Sequence, residues 1–186
     1  MSITVMRIRL ATVEDAARIL AIYAPYCTDS AVSFEYQPPD LEEMRKRVTA
    51  HEMHPFLVST ETIDSEEIVT GYAYASPHRL RDAYRWSVET SVYIDADRKR
   101  TGLGRALYER LLAMAKKQGY CNAYAGITLP NPASVAFHES MGFRHLGVFE
   151  KVGFKHGAWH DVGWWQLCLA TPEQPEAIEK AIWPGT

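Results

Sequence analysis

The segment at residues 98–105, with the sequence Arg-Lys-Arg-Thr-Gly-Leu-Gly-Arg, constrains this chain more than any other. It follows a run of strand-forming residues at 86–94 and leads into a helical pattern at 102–118. A helix that begins in a tight turn presents free N–H groups and the positive end of its dipole at one opening. Such an opening binds phosphate, and glycine lets a phosphate approach the backbone. The segment therefore predicts a phosphate-binding turn, with basic side chains around it.

The glycine pattern of this turn excludes two common nucleotide sites. No Lys-Ser or Lys-Thr pair follows the glycines, so the turn is not a P-loop. It also lacks the third glycine and the downstream acid of a dinucleotide-binding fold. By itself, the turn is equally compatible with a solvated basic segment that merely begins a helix.

Composition limits the other function classes. The 186 residues, 47% of them hydrophobic, suit one domain with a buried core, which we place at 1–170 with a C-terminal tail at 171–186. A net charge of −3 argues against a general nucleic-acid partner, and no apolar run is long enough to predict a membrane span. The first residues lack a signal-peptide pattern, and the three cysteines are scattered. We therefore expect a cytoplasmic protein with reduced thiols.

The order of predicted elements indicates an α/β fold whose first half is largely antiparallel. Residue patterns predict strands over 3–10, 56–60, 68–75, 86–94 and 121–128, and a final hairpin of 144–152 and 162–169 with residues 153–160 between its strands. They predict helices over 12–26, 41–51, 102–118 and 131–142, with one short helix in the tail. Thr12 and Asp40 are suited to cap helices, and Gly119 is a helix stop.

Glu89 is the first candidate for catalysis. In the strand at 86–94 the polar side chains alternate with Trp, Val and Thr, so Glu89 lies on the polar side in mid-strand. A carboxylate there can act as a general base, for which mid-strand burial is useful. The alternatives are a glutamate that faces solvent and one that pairs with an arginine.

The turn and its neighbours resemble the GNAT superfamily of acyl-CoA N-acyltransferases. The resemblance rests on a strand, the Arg-Lys-Arg-Thr-Gly-Leu-Gly turn, an amphipathic helix, a further strand and the segment 131–143. It implies the GNAT fold, a central mixed and mostly antiparallel sheet flanked by helices, with the turn cradling the pyrophosphate of coenzyme A. Lys99 stands where the family pattern begins with Gln or Arg, which is a mild departure.

Longer segments are similar to one branch of that superfamily, the phosphinothricin and methionine sulfoximine N-acetyltransferases. They comprise residues 33–35, 71–75, 84–93, 100–104, 129–131 and 155–163, within a match that extends from 8 to 166. In that branch the glutamate that matches Glu89 is proposed to act as base, directly or through water. The histidine that matches His138 stands where many superfamily members have a tyrosine that protonates the departing thiolate. His138 as a purely structural residue is the alternative.

The resemblance also implies binding residues. Acetyl-CoA, the expected co-substrate, is assigned to Val92, Tyr93, Ile94, Arg100, Thr101, Gly102, Leu103, Gly104, Arg105, Asn131 and Ser140. The amine substrate is assigned to Phe34, Glu35, Arg79, Leu80, Arg81, Tyr84, Lys155 and Trp159. An arginine at 79 or 81 suits a carboxylate or phosphinate. Surface charge and ordinary aromatic packing are the alternatives for the substrate group.

We expect no metal, because Gly157 spoils the helix that a ligand pair of His156 and His160 would need. The branch forms homodimers, and the strand at 164–167 is a candidate sheet edge or apolar interface. The sequence thus predicts acetyl transfer from acetyl-CoA to a small amino-acid-like amine by direct attack in a ternary complex. A protein N-terminal acetyltransferase and a non-catalytic acyl-CoA sensor are the alternatives.

Overall fold

The computed structural model describes residues 6–50 and 53–181, and these contain one seven-stranded sheet. Its strands are β1 (Met6–Leu10), β2 (Phe56–Ile63), β3 (Glu66–Pro77), β4 (Ser87–Ile94), β5 (Asn122–Leu129), β6 (Arg144–Lys155) and β7 (Ala158–Cys168). Four α-helices accompany it: α1 (Ala16–Thr28), α2 (Leu41–Thr49), α3 (Leu103–Gln118) and α4 (Pro132–Ser140). Positions 3–5 and 51 of the predicted elements lie outside the described residues.

The sheet has the order β1-β2-β3-β4-β5-β7-β6, and its pairs are antiparallel except for β4 with β5. Because a parallel pair needs a crossover, the helix α3 connects β4 to β5. One buried cluster joins α3 to the sheet, and another joins α1 and α2 to it. This arrangement confirms the predicted α/β fold with a mixed, mostly antiparallel sheet between helices.

Glycines set both ends of α3, as the sequence predicts. Gly102, with φ +85°, directly precedes the helix, and Gly119, with φ +103°, ends it. Between them, the predicted apolar face is buried against the sheet at Leu103, Leu107, Leu111, Met114 and Ala115. The left-handed backbone at both glycines is costly for other residues, so the length of α3 is fixed by sequence.

The parallel pair β4–β5 opens partway along its length. Paired positions run from Ser87 with Asn122 to Glu89 with Tyr124 and end there, although the two strands continue to Ile94 and Leu129. Beyond Glu89, therefore, the backbones diverge and leave a gap in the middle of the sheet.

Two connections are shorter than predicted. The turn between β2 and β3 consists of Asp64 and Ser65, and that between β6 and β7 consists of His156 and Gly157, all four with positive φ. Two residues with positive φ match the twist of antiparallel strands, so the strands continue up to the turn. The predicted loop at 153–160 was wrong, because β6 continues through Gly153 to Lys155. Gly153 is a strand residue without a side chain because the Phe34 ring occupies the space that its Cβ would need.

The predicted edge position of residues 164–167 was also wrong. They belong to β7, which lies between β5 and β6, and Trp165 is buried. β6 is the strand at this edge of the sheet. The alternation of tryptophans predicts a strand but carries no information on which neighbour lies outside it.

The segment after β7 docks on the domain without forming the predicted short helix, as far as the description extends, to residue 181. The Trp86 indole N–H donates to the carbonyl of Glu176 at 2.7 Å. Gln118 and Glu179 exchange two hydrogen bonds, each of 2.9 Å, at the end of α3. These bonds hold the segment against the C-terminal end of α3, and the domain boundary at residue 170 stays a prediction.

Candidate active site

The gap between β4 and β5 forms a groove with a volume of about 600 Å³. Its walls come from the end of β4, the start of α3, the middle of β5 and one side of α4. Among the predicted cofactor residues, Val92, Tyr93, Ile94, Arg100, Gly102, Gly104 and Arg105 line it, and so does His138. The structure thus brings most of the predicted cofactor group to one place.

One end of the groove is the start of α3. The Ala106 N–H donates to the Gly102 carbonyl at 3.1 Å, which is the first bond of this helix. The preceding amides, at Leu103, Gly104 and Arg105, lie ahead of that bond, where helical N–H groups have no acceptor. A Cβ on Gly104 would point toward Ile94 and Phe137, at 3.6 and 4.0 Å, and both residues line the groove. This end therefore fits a phosphate held by backbone N–H groups.

The basic side chains around this turn differ in availability. Arg98 pairs with Glu61 at 2.9 Å, and Lys99 lies over the Tyr26 ring at 5.2 Å. Arg105 donates to the Ser140 hydroxyl at 2.7 Å. Arg100 is exposed, with φ +65°, and no hydrogen bond or ion pair engages its side chain within the described parts of the chain. Arg100 is therefore the cation best placed to meet a phosphate.

Other predicted cofactor residues have structural partners. The Thr101 hydroxyl donates to the Arg98 carbonyl at 2.8 Å, and the Asn131 side chain accepts the Ser134 N–H at 3.1 Å as the N-cap of α4. The Leu103 side chain is buried in the core, which leaves only its backbone for a ligand. Ligand contacts by these residues and by Ser140 stay predictions.

Glu89 stands where β4 and β5 separate. Its side chain is 33% exposed, so it is less buried than the sequence suggests. Oε1 accepts from Nδ1 of His78 at 3.0 Å and from Nη1 of Arg79 at 3.3 Å. Within the described segments, no hydrogen bond involves Oε2. The carboxylate is thus held on one oxygen, and the next residue of β4, Thr90, lines the groove.

His138 belongs to a buried hydrogen-bond chain. Nδ1 lies 2.8 Å from the Ser134 carbonyl, which can only accept, so Nδ1 carries the proton. Nε2 then accepts from the Tyr108 hydroxyl at 3.1 Å, and that hydroxyl lies 2.6 Å from Oγ1 of Thr90. Burial lowers the pKa of His138 and raises that of Tyr108. Both ends of the chain, His138 and Thr90, line the groove.

Three predicted substrate residues hold the connection between α1 and α2 instead. Nζ of Lys155 is buried and donates to the carbonyls of Ser33 and Glu35 at 2.5 and 2.8 Å. The Glu35 carboxylate pairs with Arg47 at 2.7 Å, and the Phe34 ring packs on the backbone of β6. The Lys155 ammonium is therefore bound to backbone oxygens and does not face an open pocket.

Four of the other predicted substrate residues lie together at a second cavity of about 460 Å³, which the docked C-terminal segment also lines: Arg79, Leu80, Arg81 and Tyr84. Arg79 also reaches Glu89, and the Leu80 side chain is almost fully exposed. Trp159 packs on Phe154 near the β6–β7 turn. Of this group, the structure joins only Arg79 directly to a predicted catalytic side chain.

A small cavity of about 210 Å³, not predicted from the sequence, lies beside Glu89. It lies between α2 and β3, and Ser76 in its wall pairs with Glu89 across β3 and β4. Its walls are mostly apolar and aromatic, including Tyr23, Phe56 and Tyr72, with Arg47 at one side. A small amine with an apolar side chain fits such a space.

His156 and His160 each form a hydrogen bond with a backbone carbonyl. Nε2 of His156 lies 3.2 Å from the Ser30 oxygen, and Nε2 of His160 lies 3.0 Å from the Lys155 oxygen. Across residues 6–50 and 53–181, no three His, Cys, Asp or Glu side chains form a metal-binding group. Over the same ranges, no helix has the length and hydropathy needed to cross a membrane.

Sequence reasoning missed His78 and Tyr108. Tyr108 lies on the buried face of α3, and a buried hydroxyl requires a partner, which was a usable indication. His78 lies in a polar loop whose path depends on how β3 and β4 pair. Nothing in the sequence pattern alone identifies its contact with Glu89.

Comparison with known proteins identifies the family of this chain. Residues 8–164 match the family model of the acetyltransferase (GNAT) domain. The chain is 38% identical to phosphinothricin N-acetyltransferase of Streptomyces viridochromogenes, with 93% of each chain covered. It is 34% identical to L-methionine sulfoximine/L-methionine sulfone acetyltransferase of Salmonella typhimurium, covering 92% of this chain and 99% of that one.

A solved structure shares the whole architecture. The GNAT superfamily phosphinothricin acetyltransferase of Sinorhizobium meliloti, in complex with acetyl-CoA, superposes with a TM-score of 0.80 at 31% identity. The match covers 96% of this chain and 92% of that one. With a divided sheet, a helix start that fits a phosphate and a family match over most of its length, the chain belongs to the GNAT family of acetyltransferases.

Proposed function

We propose that this acetyltransferase transfers an acetyl group from acetyl-CoA to the amino group of a small amino-acid-like substrate, of the phosphinothricin, methionine sulfoximine or methionine sulfone type. The observation that carries the proposal is the position of Glu89 at the point where β4 and β5 stop pairing, directly before Thr90, which lines the groove. The relatives named for such substrates support the same chemistry. The small cavity beside Glu89 supports a substrate of amino-acid size.

Each residue of the site has a task in direct transfer. Acetyl-CoA supplies a reactive thioester, and the amine attacks it only after its ammonium has lost a proton. Glu89 accepts that proton through Oε2. The amides at the start of α3, with Arg100, hold the pyrophosphate. The His138–Tyr108–Thr90 chain delivers a hydrogen bond or a proton toward the departing sulfur, and this role rests on the family resemblance together with the chain's position in the groove wall.

A substrate panel tests the proposal. Purified protein with acetyl-CoA should release free thiol with methionine sulfoximine, methionine sulfone, phosphinothricin or a standard L-amino acid, and mass spectrometry should find the N-acetyl product. Turnover confined to peptides with free N-termini would indicate a protein N-terminal acetyltransferase. Tight acetyl-CoA binding with no turnover on either group would indicate a sensor.

The phosphate end can be tested without turnover. Gly104→Val would place a side chain in the groove wall, and Arg100→Glu would put a negative charge beside the pyrophosphate. Each change should weaken acetyl-CoA binding by roughly 10-fold or more, since a hydrogen bond to a charged group is worth about 1.5–3 kcal/mol. Isothermal titration calorimetry measures this affinity. Lys116→Glu, an exposed charge reversal in the last turn of α3, is the control and should bind normally.

Glu89→Gln should fold and bind acetyl-CoA normally but lose turnover by about a hundred- to ten-thousand-fold at neutral pH, the usual contribution of a general base. The amide keeps the shape of the carboxylate but cannot accept the proton. Raising the pH should partly rescue the variant because more of the amine is then already deprotonated. Steady-state rates over a pH series decide the matter, and a variant within a few-fold of wild type throughout would refute the base role.

We further propose a homodimer formed through the β6–β7 hairpin. β6 is an edge strand, and the hairpin exposes an apolar strip comprising Leu146, Val148, Phe149, Val152, Phe154 and Trp159. Exposed apolar patches and free strand edges are typical of protein interfaces. Cytoplasmic location and the absence of nucleic-acid and membrane partners stay predictions.

Charge placed in the apolar strip should separate the subunits. Phe149→Glu together with Val152→Glu is expected to shift the mass in sedimentation equilibrium from dimer to monomer, because unpaired charges are costly to bury. Val13→Glu introduces a charge at a similarly exposed apolar residue outside the strip and should leave the mass unchanged. A wild-type chain that sediments as a monomer would refute this interface.

A further inference from the structure

His78 is held beside Glu89 by rings on several sides. It directly follows β3, and its imidazole stacks on Tyr124 with 4.3 Å between ring centroids and 14° between planes. Tyr84 and Trp164 meet it edge-on at 6.0 and 6.1 Å. Only 14% of the side chain is exposed. The ring therefore has little freedom to change its orientation.

The ring presents Nδ1 to Oε1 of Glu89 at 3.0 Å. An ionised carboxylate only accepts hydrogen bonds, so Nδ1 is the donor in this pair. Arg79 donates to the same oxygen at the longer distance of 3.3 Å, but its side chain is 48% exposed and also donates to the His78 carbonyl. Of the two donors, His78 is the one whose position is fixed by packing.

We propose that His78 is a positioning residue for Glu89, and this rests on the base role proposed above. By holding Oε1, the imidazole fixes the side-chain torsions of Glu89 so that Oε2 points to the incoming ammonium. Positioning of this kind matters because a misplacement of about 1 Å can cost on the order of 100-fold in rate. His78 does not touch the reacting atoms, and it acts through the carboxylate alone.

The surroundings of His78 restrict how it can act. The titratable and charged groups that face it are Glu89 on β4, Arg79 and Tyr84 in the loop after β3, and Tyr124 on β5. From β7 the neutral Trp164 contacts it, and the nearby part of β6, which lines a cavity of about 290 Å³ with it, is apolar. Among the described residues, therefore, Glu89 is the hydrogen-bond partner of its ring.

The experiment compares three variants, alone and combined with Glu89→Gln. His78→Phe retains a ring to stack on Tyr124 but removes the donor, and His78→Asn restores a donor at the position of Nδ1. We expect His78→Phe to lower kcat about 10-fold with acetyl-CoA affinity unchanged, and His78→Asn to recover most of that loss. His145→Phe, which replaces an exposed histidine that packs on Trp165, is the matched control and should keep the wild-type kcat.

The combined variants separate positioning from a merely structural role. If His78 acts through Glu89, His78→Phe has no further effect on kcat in the Glu89→Gln protein, whereas independent residues would give multiplied losses. If His78→Phe lowered kcat by the same factor in the wild-type protein and in the Glu89→Gln protein, the proposal would be overturned. A His78→Asn rate no better than that of His78→Phe would also overturn it. A Glu89→Gln protein with the wild-type rate would instead refute the base role itself.

A measurement without substrate tests the hydrogen bond between His78 and Glu89 independently of turnover. Nitrogen-15 NMR of histidine-labelled protein reports which ring nitrogen carries the proton, and the missing signal of His78→Phe assigns the resonance. We expect a protonated Nδ1 at His78 in the wild-type protein, with its shift changed in Glu89→Gln. A neutral His78 protonated only at Nε2 would overturn the proposal, since Nδ1 could not then donate.

Discussion

The separation of β4 from β5 after Glu89 is the constraint on which the rest of the molecule depends. A parallel pair that stayed bonded to its ends would fill the sheet and leave no room for a ligand. Because the strands part, the backbone of β4 from Thr90 onward faces an open groove. The same divergence begins at Glu89, the last residue of β4 that pairs with β5, directly before Thr90 in the groove wall. The groove and the position of the proposed base are thus two consequences of one backbone feature.

The start of α3 depends on that separation as well. The helix crosses over from β4 to β5, so its first turn must lie at the mouth of the gap between them. Gly102, with its positive φ, lets the chain turn sharply there. Because Gly104 has no side chain, no side chain at position 104 takes up space in the groove wall. The end of the groove that fits a phosphate and the proposed base are therefore placed relative to each other by the crossover from β4 to β5.

Local patterns were sufficient to predict the parts of the site that lie within single elements. The turn, α3 with its buried face, and the polar side of β4 were all visible in the sequence. Contacts between elements were not visible. The stacking of His78 on Tyr124 depends on how β3, β4 and β5 pair, and β7 lies inside the sheet only because β6 pairs along its outer side. Lys155 was predicted to contact substrate, but its buried ammonium is bound to two backbone carbonyls, which no spacing reveals.

Glu89 and His138 occupy opposite kinds of surroundings, and this suits opposite halves of one reaction. Glu89 is part-exposed and accepts two hydrogen bonds on one oxygen, which suits the base role proposed for it. His138 is enclosed, and burial lowers its pKa, so the neutral imidazole persists to lower pH than it does in an exposed histidine. Its Nε2 then accepts a hydrogen bond rather than donating one. In the proposed reaction, therefore, the proton or hydrogen bond for the departing sulfur comes through the Tyr108 and Thr90 hydroxyls, or from His138 after it has gained a proton.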